Sequence, residues 1–213
     1  MRLAGLLRHR AEWSAPRRRA AGVCAAALML VSAVAGCGTG SDAVASGGTF
    51  DFVSPGGKLD IFYDPPQARG TVGAMSGPDL MTDGKTTSLS DFDGNVVVIN
   101  LWGQWCGPCR AEAPQLEKVF ESTKDLGVQF LGMDVRDPER DAARDFVIDH
   151  KVTYPSIWDP PMRTVIALGG HYPTSVIPST LVLDRQRRVA AVFLRALLAQ
   201  DLQPVVERVA AER

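Results

Sequence analysis

Val96-Val97-Val98-Ile99-Asn100-Leu101-Trp102-Gly103-Gln104-Trp105-Cys106-Gly107-Pro108-Cys109-Arg110-Ala111-Glu112-Ala113-Pro114 is the stretch from which the fold can be read. Residues 96–102 are β-branched or apolar almost without interruption, as a strand buried on both faces of a parallel sheet would be. From 111 to 124 the apolar residues fall at 113, 116, 119 and 120, near helical spacing, and Gly127 stops the run. A buried strand therefore passes through a short loop into a helix, and a Cys-x-x-Cys sits at the joint. At the first helical turn the thiolate of Cys106 faces unpaired N–H groups and the positive end of the helix dipole, which favours ionisation and makes it a nucleophile. Cys109, three residues on, lies on the same face and is near enough to close a disulfide. Pro108 costs little in a first turn, where its missing N–H has no partner to lose. Gly107 leaves the attacking sulfur open to a large substrate.

Outward from this joint the pattern continues. Residues 128–134 read as a second apolar strand, and Asp137-Pro138 opens a helix to about His150. Residues 156–158 suit a short strand and 162–168 a short helix. Residues 179–184 and 189–194 form an antiparallel pair about the turn at 185–188, and 199–211 close the chain as a helix. The class is α/β with a mixed central sheet. Upstream, Asp83-Gly84 marks a small hairpin turn. Residues 49–53 and 59–63 read as two short strands, which predicts an N-terminal hairpin extension over 49–77 ahead of a main domain at 78–213.

The first 36 residues are of another kind. They hold six Arg (2, 8, 10, 17, 18 and 19) against Glu12 alone, followed by a small-apolar run from 20 to 35. A basic start, a short apolar core and small residues at its end read as a secretory signal. The run is about 16 residues, short of the roughly 20 that span a membrane. It ends in Val34-Ala35-Gly36-Cys37, which resembles a bacterial lipobox and makes Cys37 a lipid attachment site. Ordinary cleavage leaving a free Cys37, or an uncleaved anchor helix, are the alternatives, and all three export the domain. Residues 37–48 then read as a flexible Gly/Ser/Ala-rich tether. Removing six Arg and one Glu from 23 basic and 24 acidic residues leaves 17 and 23, a net charge of −6 for the remainder. That disfavours nucleic acid as a partner.

Of the four cysteines, Cys24 lies in the signal, Cys37 at its end and two in the body, too few for a disulfide-stapled scaffold. A structural zinc site would need a second Cys-x-x-Cys pair, and only His150 and His171 follow downstream. A purely structural bridge across two intervening residues would close little loop entropy. No metal and no organic cofactor is expected beyond the Cys106–Cys109 couple itself.

The stretch 100–114 resembles the active-site segment of the thioredoxin superfamily, and more narrowly that of the TlpA/ResA/DsbE group of membrane-anchored extracytoplasmic thioredoxins. A second motif, Ile177-Pro178-Ser179-Thr180-Leu181-Val182-Leu183-Asp184, resembles the segment that carries this superfamily's cis-proline. The resemblance covers about 78–211. It implies a thioredoxin fold with an inserted strand–helix unit at 136–160 and a cis peptide at Pro178. It also implies that Ile177 offers its backbone to a substrate strand, and that Glu112 tunes thiol ionisation. Trp105, Gly107 and Pro108 complete the expected substrate surface. Gly103-Gln104 departs from the group, where Ala and a small polar residue are usual.

The expectation is a thiol–disulfide oxidoreductase on the extracytoplasmic face of the cell membrane, held by lipid on Cys37. Its electrons would come from a membrane thiol donor and go to disulfides of exported proteins, apocytochrome c being the specific expectation. The same motifs admit an oxidase of secreted proteins, or a module that binds clients in the groove without turnover.

Overall fold

The computed structural model describes residues 44–45 and 48–212. The expected signal segment, Cys37 and most of the expected tether lie outside them. Among the described residues no helix is long and apolar enough to cross a membrane.

The core is a six-stranded mixed sheet. Its strands are β2 (Asp60–Phe62), β5 (Val96–Trp102), β6 (Val128–Val135), β7 (Ser156–Asp159), β8 (Ser179–Leu183) and β9 (Val189–Phe193), in the order β2-β9-β8-β5-β6-β7. β5 runs parallel to β6 and antiparallel to β8, so it is bonded on both sides. All seven of its residues are buried, as its uninterrupted apolar run requires. Alternation assigns Val96 and Val98 to one face and Val97, Ile99 and Leu101 to the other. The first face packs under α1 (Gly107–Thr123) and α3 (Ala199–Ala211) through Leu116, Val119, Leu202 and Val206. The second packs under the N-terminal segment and the 3₁₀ turn Arg163–Leu168 through Phe50, Val72, Leu168 and Tyr172. α2 (Arg140–Asp149) adds Ala143, Phe146 and Val147 to a third cluster around the two cysteines. The stretch expected to hold the inserted strand–helix unit supplies α2 and β7.

The main departure is at the N-terminus. Residues 49–53 form no strand, and no hairpin with 59–63 exists. β2 instead pairs with β9 at the sheet edge, Ile61 opposite Val192. Thr49 and Phe50 both donate their N–H to the Thr71 carbonyl. The turn between the two expected strands has Gly56 and Gly57 both at φ +68° inside a 3₁₀ turn. The open edge of β9 then offers Ile61 burial that a two-stranded hairpin could not. β1 (Val44–Ala45), which falls in the expected tether, pairs with β3 (Met75–Pro78), and β3 pairs with β4 (Thr86–Ser88). The small hairpin about Asp83-Gly84 is therefore present, with its strands at 75–78 and 86–88.

One buried charge fastens this N-terminal region to the far end of the domain. The Arg69 side chain is fully buried. Its Nε donates to the Tyr63 carbonyl, and its two terminal nitrogens reach Asp64, Asp184 and Glu212 at 2.6–3.2 Å. A buried guanidinium is tolerable only with its donors occupied in this way. Arg69→Met removes the buried cation from among three carboxylates, leaving Asp184 only the part-exposed Arg188, and Asp64 and Glu212 only the part-exposed Arg208. It should destabilise the oxidised chain by about 3–5 kcal/mol, read as a lower urea midpoint at unchanged slope. A loss below ~1 kcal/mol would mean that the cluster is only a surface-type contact.

Candidate active site

β5 ends at Trp102, and a tight turn carries the chain to the start of α1, with the Cys106 N–H donating to the Gly103 carbonyl at 3.0 Å. Cys106 is the N-cap of α1, in extended conformation, and Cys109 lies in the first turn. The two are joined as a disulfide with Cα atoms 5.3 Å apart, so this is the oxidised state. The Cys109 N–H points at Cys106 Sγ from 3.2 Å, one of the otherwise unpaired donors of a helix start. Such a donor favours negative charge on that sulfur.

Across from the pair stands the Ile177-Pro178 peptide, which is cis, as the resemblance implied. The Ile177 carbonyl oxygen lies 3.9 Å from Cys106 Sγ. A second cis bond, at Asp64-Pro65, was not anticipated. Tyr172 is buried and donates its hydroxyl to Ser179 Oγ at 2.9 Å, directly behind Pro178. The N-terminal segment holds the same loop. Phe52 meets Tyr172 edge-on, Asp51 pairs with His171 at 2.8 Å, and a Cβ on Gly169 would stand 2.6 Å from the Phe50 carbonyl oxygen.

The surface around the sulfurs is apolar and partly open. Trp105 is 45% exposed, and nothing stands within 4 Å of where a Cβ on Gly107 would lie. Pro108 is exposed as well. Trp102 is buried, stacked on Phe146 at 4.6 Å, and clusters with both cysteines, so it is core and shield together. The departure at Gly103 has a physical reason. The Trp105 indole N–H donates to the Val135 carbonyl at 3.2 Å, and a Cβ at 103 would sit 2.4 Å from that nitrogen. Alanine there would push Trp105 off its acceptor.

Beneath the pair lies Glu112, almost wholly buried. Oε1 accepts the Leu197 N–H at 3.2 Å, while Oε2 has no partner. Burial pushes its carboxyl up to about 8, against the pull of the Leu197 N–H and the nearby Asn100 and Thr180 side chains. A cavity of about 10 Å³ beside Cys109, lined by Asn100, Trp102, Ala113, Phe146 and Tyr154 among others, is wide enough for about one water. Sequence reasoning passed over Asn100, Thr180 and Tyr172, and also Asp134 and Asp137. The available signal was a polar side chain inside a run read as apolar on both faces. Among the described residues no cluster of His, Cys, Asp and Glu is arranged to hold a metal.

Residues 74–192 match the model of the AhpC/TSA family. The chain belongs to that family. Within the AhpC/TSA family it is similar to the thiol-disulfide oxidoreductase ResA of Bacillus thuringiensis subsp. konkukian, 30% identical over 60% of this chain and 72% of that protein. ResA of Halalkalibacterium halodurans is 25% identical over 72% and 84%. Among solved structures, a secreted thiol-disulfide isomerase from Corynebacterium glutamicum is 47% identical with a TM-score of 0.75, covering 78% of this chain and 100% of that one. A DsbF homologue from Corynebacterium diphtheriae is 49% identical with a TM-score of 0.71, covering 76% and 99%. With its cysteine pair at disulfide distance, this AhpC/TSA member is a thiol–disulfide oxidoreductase of the ResA/DsbF type with a thioredoxin fold.

The raised carboxyl has a measurable consequence. The folded chain keeps the Glu112 proton up to about pH 8, whereas an unfolded chain releases it above 4.5. Folding therefore binds a proton in that window, and stability falls as pH rises through it, by up to about 1.4 kcal/mol per pH unit. Glu112→Gln should lessen the fall of the oxidised chain's unfolding midpoint between pH 5 and 8 to the part left by Asp134, whose carboxyl is also raised. An unchanged slope would mean that Glu112 is ionised in the folded state.

Proposed function

We propose that this oxidoreductase works outside the cytoplasm, anchored by lipid on Cys37, and reduces disulfides in exported proteins. The observation that carries the catalytic part is the placement of Cys106 Sγ between the Cys109 N–H and the Ile177 carbonyl, just beneath the exposed Trp105, Gly107 and Pro108, with Glu112 buried on the same helix. In the reduced chain the Cys106 thiolate attacks a client disulfide, forming a mixed disulfide and expelling one client thiolate. Cys109 then loses its proton and attacks Cys106 Sγ, which releases the second client thiolate and restores the bridge seen here. Glu112, at about 8, is matched to an ordinary thiol near 8.5, so in its ionised form it takes the Cys109 proton at little cost. A membrane thiol donor returns two electrons to the pair. The client strand lies against Trp105, Gly107 and Pro108 and pairs with the backbone at Ile177, beside Pro178.

The direction of electron flow rests on the Gly107-Pro108 dipeptide, shared with strongly reducing thioredoxins, and apocytochrome c is the client class implied by the resemblance of residues 100–114 to the TlpA/ResA/DsbE group. A second reading, net oxidation or isomerisation of secreted proteins, is favoured by the C. glutamicum relative described as a secreted isomerase. Equilibration with glutathione decides between them. A potential near about −270 mV is expected for a reductase, and one near about −120 mV would overturn it.

Trapping tests the roles and the address together. In Cys109→Ser, Cys106 should accumulate in mixed disulfides recovered from the membrane fraction, and mass spectrometry identifies the clients. Adding Cys37→Ser should move those adducts to the soluble extracytoplasmic fraction. If no adducts form, Cys106 is not the exchanging sulfur, and if their location does not change, Cys37 is not the anchor.

A further inference from the structure

Behind the redox turn, at the end of β6, lie two acids that the exchange reaction does not use. Asp134 and Asp137 are both fully buried. Asp137 Oδ2 accepts the backbone N–H of Gln104 at 2.9 Å, two residues before Cys106. Both oxygens of Asp134 and the remaining oxygen of Asp137 have no partner among the described residues. Between them the same segment supplies the Val135 carbonyl to the Trp105 indole, and the Asp137 carbonyl takes the Trp158 indole N–H at 3.0 Å. Residues 134–137 thus grip the turn that presents Cys106 at two points, one of them through a carboxylate.

Two adjacent carboxylates buried from solvent resist both being charged. A hydrogen on Asp134 donated to Asp137 satisfies an orphaned oxygen on each and leaves Asp137 free to hold Gln104. The burial of Asp134 and the nearness of Asp137 and Asp159 push its carboxyl up to about 9, consistent with that hydrogen being present at neutral pH. The other charged groups that face this cluster are accounted for. Asp159, on β7, is occupied by the backbone N–H groups of Arg163 and Thr164 and by the Thr164 hydroxyl. The Arg140 guanidinium of α2 lies over the Trp158 ring at 5.4 Å, and Arg110 of α1 donates to the Gln104 carbonyl.

We propose that Asp134 and Asp137 share a proton and act as a positioning pair for thiol–disulfide exchange, Asp134 holding Asp137 and Asp137 holding the Gln104 backbone that sets the approach to Cys106. When Asp134 loses its proton in alkali, the two carboxylates repel, the hold on Gln104 loosens, and the reactivity of Cys106 changes. The inference rests on Cys106 being the exchanging sulfur.

The test is the rate of iodoacetamide alkylation of the reduced full-length chain from pH 5 to 10, with the modified cysteine located by mass spectrometry. The parent should show a second step in its Cys106 profile near pH 9. Asp134→Asn, whose carboxamide N–H supplies Asp137 with a hydrogen that alkali does not remove, should abolish that step. Asp137→Ala, which removes the acceptor for Gln104, should change the Cys106 rate at pH 7 by about threefold or more and move the glutathione equilibrium in step. Should that variant fail to fold, Asp137→Asn decides. It keeps an acceptor for Gln104 but removes a buried negative charge, so alkylation at pH 6 to 7 should be faster. A step that persists in Asp134→Asn, or Asp137 variants with the parent's rate and potential, would overturn the proposal. Label found on Cys109 instead of Cys106 would overturn the reading on which it rests.

Discussion

The register in which β5 lies between its neighbours sets Trp102 level with Asp134 on one side and Leu101 level with Ser179 on the other. Those pairings bring three segments to one end of the sheet. They are the turn that leads to Cys106, the cis peptide at Pro178, and the acids that close β6. A one-residue slip of β5 against β8 would reverse every side chain in the strand. It would also take the Ile177 carbonyl away from the sulfur. Because β5 is bonded on both sides and buried on both faces, such a slip would cost ladder bonds and core packing together. The rigidity of the site therefore belongs to the centre of the sheet rather than to the loops that display it.

A second constraint is the dryness of the ground beneath the helix. Under α1 the sheet contributes the polar side chains of Asn100 and Thr180 and the helix itself contributes Glu112, and these three meet under the cysteines. Asn100 Nδ2 donates to Thr180 Oγ1 at 3.0 Å, so the strand amide is spent on its neighbour and satisfies Glu112 only in part. A carboxyl left half-paired in such a place stays close in proton affinity to the thiol above it. The same economy recurs at the Asp134–Asp137 pair. Buried polar groups are costly wherever they occur, and here they gather on two sides of a single turn.

Much of this was legible in the sequence. The uninterrupted apolar run of 96–102, the helical spacing after Cys109 and the paired runs at 179–184 and 189–194 carried the mixed α/β class and the elements around β5, because each is a local pattern backed by burial. The closing helix was placed at the residues where it occurs, Ala199–Ala211. The N-terminal region was misread for the complementary reason. Residues 59–63 do look like a strand, but their partner is β9, some 130 residues away, and nothing within the segment names that partner. Arg69 was invisible in the same way, since its three carboxylates lie at 64, 184 and 212. At the site, motif and resemblance named the cysteines, Ile177, Pro178 and Glu112, and the fold sets the disulfide beside the cis Ile177-Pro178 peptide with Glu112 buried on the same helix. Tyr172 and the Asp134–Asp137 pair were missed because their importance lies in what the fold sets behind the motif.

The grip of the N-terminal segment on the loop before Pro178 has a mechanical side. Phe50, Asp51 and Phe52 touch Gly169, His171 and Tyr172, and Tyr172 in turn bonds Ser179. A tension that reaches residue 50 past the β1–β3 pairing and the Thr71 carbonyl is handed on to the loop before Pro178. Its line of force runs through the ring of Tyr172 to the peptide that faces Cys106. The segment that leads away from the domain and the rim of its reactive groove are one load path.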